Sequence, residues 1–126
     1  MKPVTQEWIE KADGDYRTAL RERRVRRRPN NDAVCFHAQQ CIEKYLKALL
    51  TEHETPFPKI HDLLKLGEMC SPVAPALKTV EADLDLLSRY AIAFRYPGEE
   101  ATLEEAKAAV KALDKVRKLI KASLAK

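Results

Sequence analysis

The chain has 126 residues, is 45% apolar and 33% charged, and carries a formal charge of +4 with only three glycines. That length suits one domain, and scarce glycine beside abundant Ala, Leu, Glu, Lys and Arg argues against a turn-rich all-β fold. No apolar run reaches bilayer length and no signal-peptide core opens the sequence, so neither membrane insertion nor export is expected. The cysteines Cys35, Cys41 and Cys70 are odd in number and lack close pairs, unlike a disulfide framework or a zinc knuckle. Reduced thiols in a cytoplasmic protein are the expectation, with Cys41 in the core.

The first predicted helix runs from about Thr5, a candidate N-cap, to the start of an arginine cluster. Trp8, Ala12, Tyr16 and Ala19 recur on one stripe, with Lys11 and Asp15 assigned to an exposed face. Arg21, Arg23, Arg24, Arg26, Arg27 and Arg28 follow, interrupted only by Glu22 and Val25. The run is suited to an anionic partner or to a solvated helix end and loop. Pro29-Asn30-Asn31 ends this helix, and Asn31 or Asp32 can cap the next.

The second helix, from about Asp32 to His53, shows a broad apolar stripe of Val34, Ala38, Cys41, Ile42, Tyr45, Leu46, Leu49 and Leu50. Gln39, Glu43 and Lys47 are placed on the opposite side, with Glu43 and Lys47 in the favourable charge order. Pro56 and Pro58 interrupt regular structure. A short segment opens at His61-Asp62 and ends near Gly67. A long helix then carries Leu77, Val80, Leu84, Leu87, Ala91 and Phe94, ending at Arg95-Tyr96 before Pro97-Gly98. Thr102-x-x-Glu105 forms a capping box for the last helix, whose stripe reads Leu103, Ala106, Val110, Leu113, Val116, Ile120 and Leu124. The expected fold is all-α, an up-and-down four-helix bundle with an additional short helix, in one domain over residues 1–126.

Trp8, Ala12, Asp15, Tyr16 and Ala19, the stretch from Phe36 to Leu50 containing Ala38-Gln39-Gln40 and Glu43-Lys44, His61-Asp62-Leu63, and Tyr90 before Arg95-Tyr96-Pro97 occur in an order that resembles the HEPN family. The resemblance spans nearly the whole chain. It implies a helical bundle, often a homodimer, commonly accompanying a minimal nucleotidyltransferase in toxin–antitoxin-like modules. Many members are metal-independent RNases that use Arg, four to six further residues, then His. Here the histidines are His37, His53 and His61, and none follows Arg89 or Arg95. The usual RNase site is therefore not expected, because its imidazole is missing.

The resemblance brings His61, Asp62, Arg95 and Tyr96 to corresponding landmarks and suggests a common site between loop ends. His61, Asp62, Tyr90, Arg95 and Tyr96 are the candidates for nucleotide or partner contact, with Tyr90 and Tyr96 also open to modification by the partner. A structural role tying loop to helix is the competing reading. Asp15, Gln39, Gln40, Glu43 and Lys44 form a possible dimer or packing face, in which Asp15 can pair with Lys44 or with an arginine across the bundle. His37 fits a satisfied interior polar residue. No cofactor and no metal is expected, since there is no Walker loop, dinucleotide fingerprint or converging ligand set. The leading expectation is an accessory nucleotide- or partner-binding protein. A divergent ribonuclease with a composite dimer-interface site and a purely structural oligomerisation module are the alternatives, and RNA is a further possible ligand through the arginine run.

Overall fold

The sequence pattern resolves, in a computed structural model describing residues 1–126, into five α-helices and no strand. They are α1 (Pro3–Arg24), α2 (Asn31–Glu52), α3 (Leu63–Cys70), α4 (Glu81–Ser88) and α5 (Leu103–Leu124). A 3-10 turn over Pro75–Val80 leads into α4 and another, Arg89–Ala91, leaves it. Helices α1, α2 and α5 are each 22 residues long, roughly 33 Å at 1.5 Å per residue. With the broken limb around α4 they make the four-helix bundle, and α3 is the added short helix. No helix is long and apolar enough to cross a membrane.

Helix α2 is the axis, because it packs against α1, α3, α4 and α5. Tyr45, Ile42, Leu46, Leu49 and Leu50 are fully buried there, joined by Leu63 and Leu66 of α3, Leu84 and Leu87 of α4, and Leu113 and Ile120 of α5. Ala12 and Ala19 on α1 are buried without bulk, which lets that helix lie close against α2. Helix α5 likewise turns alanine inward: Ala106, Ala109 and Ala112 are buried, Leu103 is 44% exposed and Val110 half-buried. Size alone therefore misassigned part of its stripe, whereas the capping box at Thr102 and Glu105 forms as expected.

Several boundaries differ from the sequence expectation. Helix α1 starts at Pro3, a residue suited to the first turn, so Thr5 is a buried first-turn residue and not the cap. It ends at Arg24, well before Pro29. Asn30, not Asn31 or Asp32, caps α2 by accepting the Ala33 N–H at 3.0 Å. Asp32 instead accepts the Ala101 N–H at 2.6 Å and ties the start of α2 to the approach to α5.

Helix α3 continues through Gly67 to Cys70. A Cβ at Gly67 would stand 2.9 Å from Leu84 Cδ1, so glycine here serves the close approach of α4 and does not end the helix. The long helix expected from Leu77 to Phe94 is broken, with Pro75 opening a 3-10 turn and α4 proper spanning eight residues. All three cysteines are buried; Cys70 donates its S–H to the Leu46 carbonyl at 3.4 Å.

Candidate functional site

Between Val34 and Leu50, α2 is buried everywhere except at Phe36, His37, Gln40 and Lys44. These four sit one or two turns apart on a single helical face, which is the only side of the central helix left open. Asp15 of α1 lies under that face. Its Oδ1 is 2.7 Å from His37 Nδ1 and its Oδ2 accepts from Lys44 Nζ at 2.6 Å. Burial pushes the Asp15 carboxyl up, but the His37 and Lys44 hydrogen bonds outweigh it and hold the group below its ordinary range. Of the two kinds of partner the sequence leaves open for Asp15, Lys44 or an arginine, the fold selects Lys44. The exposed assignment of Asp15 was not correct, since only 8% of it is accessible.

The ring of His37, held from behind by Asp15, lines an open hollow of about 480 Å³ with Phe36, Asn30, Asp32 and Arg95. Phe36 is 40% exposed and meets the His37 ring edge-on, with centroids 5.4 Å apart. The far wall is the chain after α4. There Phe94 adopts φ 62°, a left-handed conformation that costs a phenylalanine energy unless its surroundings hold it. Stacking of Phe94 on Tyr90, centroids 5.8 Å apart, supplies that hold. The resulting turn lets Arg95 fold back and donate from Nη2 to the Ala91 carbonyl at 3.0 Å. The turn Tyr96-Pro97-Gly98-Glu99 follows, with proline second, Gly98 at φ 89° and the Glu99 N–H bonded to the Tyr96 carbonyl.

The candidate residues therefore separate into three groups. Arg95 lines the hollow together with His37, whose half-buried ring is tied on its inner side to Asp15. Tyr96 stands 72% exposed on the neighbouring turn. Tyr90 is only 4% exposed, and burial, with Cys35 and Glu105 nearby, pushes its hydroxyl up to about 12, so its role is packing.

His61 and Asp62 are occupied elsewhere and do not line the hollow. Asp62 caps α3 by accepting the Leu64 and Lys65 N–H groups. His61 Nδ1 lies 2.8 Å from Glu43 Oε1, a carboxylate that also accepts from Gln39 Nε2 at 2.9 Å and from Lys47 Nζ at 3.0 Å. Gln40 extends this network by donating to Gln39 Oε1 at 2.7 Å. Gln39, Glu43 and Lys47 are buried, although they lie opposite the apolar stripe. The segment between α2 and α3 covers them: the His61 carbonyl accepts from Gln39, and Lys47 Nζ sits 5.8 and 5.9 Å from the Trp8 and Phe57 ring centres. Burial raises the Glu43 carboxyl, but hydrogen bonds from Gln39, His61 and Lys47 overcome this and lower it.

A second polar junction, with no counterpart in the sequence pattern, joins α1, α2 and α5. Arg117 of α5 stacks 3.8 Å above the Tyr16 ring, donates to Tyr45 Oη at 3.2 Å and pairs with Asp13, to which Tyr45 also donates. Tyr16 donates to Asp114 at 2.8 Å, so α1, α2 and α5 are stitched together in one place. The arginine run divides between the last turn of α1 and the loop beyond it. No cluster of three or more His, Cys, Asp or Glu side chains is arranged to hold a metal.

Asp15 and Glu43 predict an acid-labile fold. Both carboxyls have folded values below their unfolded ones, so their contribution is complete above the ordinary carboxylate range. It is lost as pH falls through the lowered folded values. Denaturation midpoints should be level near neutrality and fall from about pH 5 downward. The double variant Asp15→Asn, Glu43→Gln should show a shallower fall. An equal slope in that variant would assign acid sensitivity to other groups.

A family model for the HEPN domain matches residues 5–123. Among solved structures, the chain is similar to TT1696 from Thermus thermophilus, with a TM-score of 0.82 and 20% identity over 97% of this chain and 99% of that one. It is also similar to ST0689, an archaeal HEPN homologue, with a TM-score of 0.74 and 20% identity over 97% of this chain and 98% of the other. No curated protein matches the sequence.

Proposed function

Because this chain belongs to the HEPN domain family, we propose that it is an accessory member that binds a minimal nucleotidyltransferase and a nucleotide in a toxin–antitoxin-like module. The observation that carries this reading is the hollow that Phe36, the Asp15-held His37 and Arg95 line together. A guanidinium offers forked donors to a phosphate, and an exposed phenyl ring offers a flat apolar wall to a base. Tyr96, exposed on the adjoining turn, presents a hydroxyl that a partner enzyme can reach. The homodimer expected of the family belongs to the same proposal, with exposed Phe36, Ile92 and Tyr96 as apolar material for it. No histidine follows Arg89 or Arg95 at the family's RNase spacing, which favours binding over cleavage.

The test is co-expression with a minimal nucleotidyltransferase encoded beside this chain, read by light scattering, and calorimetric titration with ATP and AMP. A stable complex and nucleotide binding weakened about tenfold or more by Arg95→Ala are expected, as for loss of a charged hydrogen bond. A bundle that stays free in every mixture and takes up neither nucleotide overturns the reading. RNA cleavage abolished by Arg95→Ala would replace it with the ribonuclease.

A further inference from the structure

Positive charge is concentrated at one end of the molecule. Residues 21–28 hold six arginines and one glutamate, a net +5 within a chain of net +4. The other residues carry seventeen cations against eighteen anions, so the remainder of the bundle is nearly neutral. Arg21, Arg23 and Arg24 form the last turn of α1, where cations complement the helix dipole. That account does not extend to Arg26, Arg27 and Arg28. They lie beyond the helix end on an exposed loop, and Arg28 is in the left-handed region at φ 51°.

None of the six side chains makes an ion pair or hydrogen bond within the protein, although Lys44, Lys47, Arg89 and Arg117 each hold a carboxylate. The run contains no lysine, and arginine's planar fork is the side chain that matches phosphate oxygens two at a time. Its reach extends back along α1, where Arg17, Arg21 and Arg24 border a shallow groove with Tyr16 and Leu20. Forward, the loop runs through Pro29 to Asn30 at the edge of the His37–Arg95 hollow.

We propose that this arginine ridge docks the phosphodiester backbone of a nucleic acid without reading its sequence. The proposal does not depend on the nucleotidyltransferase partnership, since the ridge is complete in the isolated chain. Binding driven by backbone phosphates releases condensed counterions, and its salt dependence counts the contacts.

Anisotropy of a labelled single-stranded 20-mer of scrambled sequence, as RNA and as DNA, tests the idea with the whole protein. Both strands should bind. The slope of log affinity against log salt should be about −4 for six contacts, a loss of a few hundredfold from 50 to 200 mM salt. Changing Arg26, Arg27 and Arg28 together to Gln should reduce the slope by about 2 while the helical circular dichroism and melting stay unchanged. Changing Lys118, Lys121 and Lys126 to Gln removes equal charge from the exposed end of α5. Those residues lie at the opposite end of the bundle, because Ala101 ahead of α5 is bonded to Asp32 while Asp114 already reaches Tyr16. This variant should leave the slope alone.

No binding at 50 mM salt overturns the proposal, as does an equal loss in both triple variants. Binding of RNA alone would assign recognition to the 2′-hydroxyl and overturn it too. Capture by phosphatidylserine vesicles or polyglutamate without either oligonucleotide would do the same.

Discussion

Glu43→Ala is expected to cost about 3–5 kcal/mol of folding stability, measured by chemical denaturation, because it strands a buried cation. Lys47 keeps 9% of its side chain accessible and Glu43 5%, and their 3.0 Å pair is flanked by the hydrogen bonds of Gln39 and His61. Removing the carboxylate leaves Lys47 with aromatic neighbours but no anion, and it frees the loop residue His61. The pair itself need not be a net gain over apolar packing. The double variant Glu43→Leu, Lys47→Met should therefore recover most of the loss, giving a large coupling in a double-mutant cycle. A loss below about 1 kcal/mol in Glu43→Ala would mean that water reaches Lys47 and that the site is effectively a surface pair.

Leu46→Ala should cost about 2–5 kcal/mol, the range for deleting a fully buried leucine and leaving part of its volume empty. Leu46 faces the middle of the bundle, and its carbonyl also receives the Cys70 thiol of α3. Leu103→Ala supplies the contrast. That leucine belongs to the stripe read from sequence, yet it is 44% exposed, and its loss should stay within about 0.5 kcal/mol. Similar losses for the two variants would mean that α5 buries the face its larger side chains suggested.

The helices themselves were legible because apolar spacing and breakers act locally. The stripe on α2 from Val34 to Leu50 and the capping box at Thr102 needed no knowledge of distant residues. What could not be read was how much of α2 would be covered. Glu43 and Lys47 at i and i+4 look alike whether water or another segment lies over them. Only the path from His53 to Asp62, which lays Phe57 and His61 across that face, decides the matter.

The candidate site shows the same limit. Asp15 and His37 are 22 residues apart and meet because α1 and α2 lie antiparallel, an arrangement their own types do not encode. Residue type gave no signal for the open face, because Gln40 and Lys44 there and Gln39, Glu43 and Lys47 under cover are equally polar members of one helix. Pro75 marks where the limb around α4 starts but not its breaks after Val80 and Ser88, since proline suits the first turn of an unbroken helix equally. The left-handed turn at Phe94, after which Arg95 lines the hollow beside His37, had no such mark.

Trp8 is the chain's single tryptophan, and it sits edge-on to Phe57 with centroids 6.4 Å apart and Lys47 near its face. Its ultraviolet emission thus belongs to one spot, the meeting of α1 with the proline-bearing crossing between α2 and α3. The protein carries a native optical gauge of whether that crossing is seated. It can be followed in real time, without a dye, separately from the melting of the bundle as a whole.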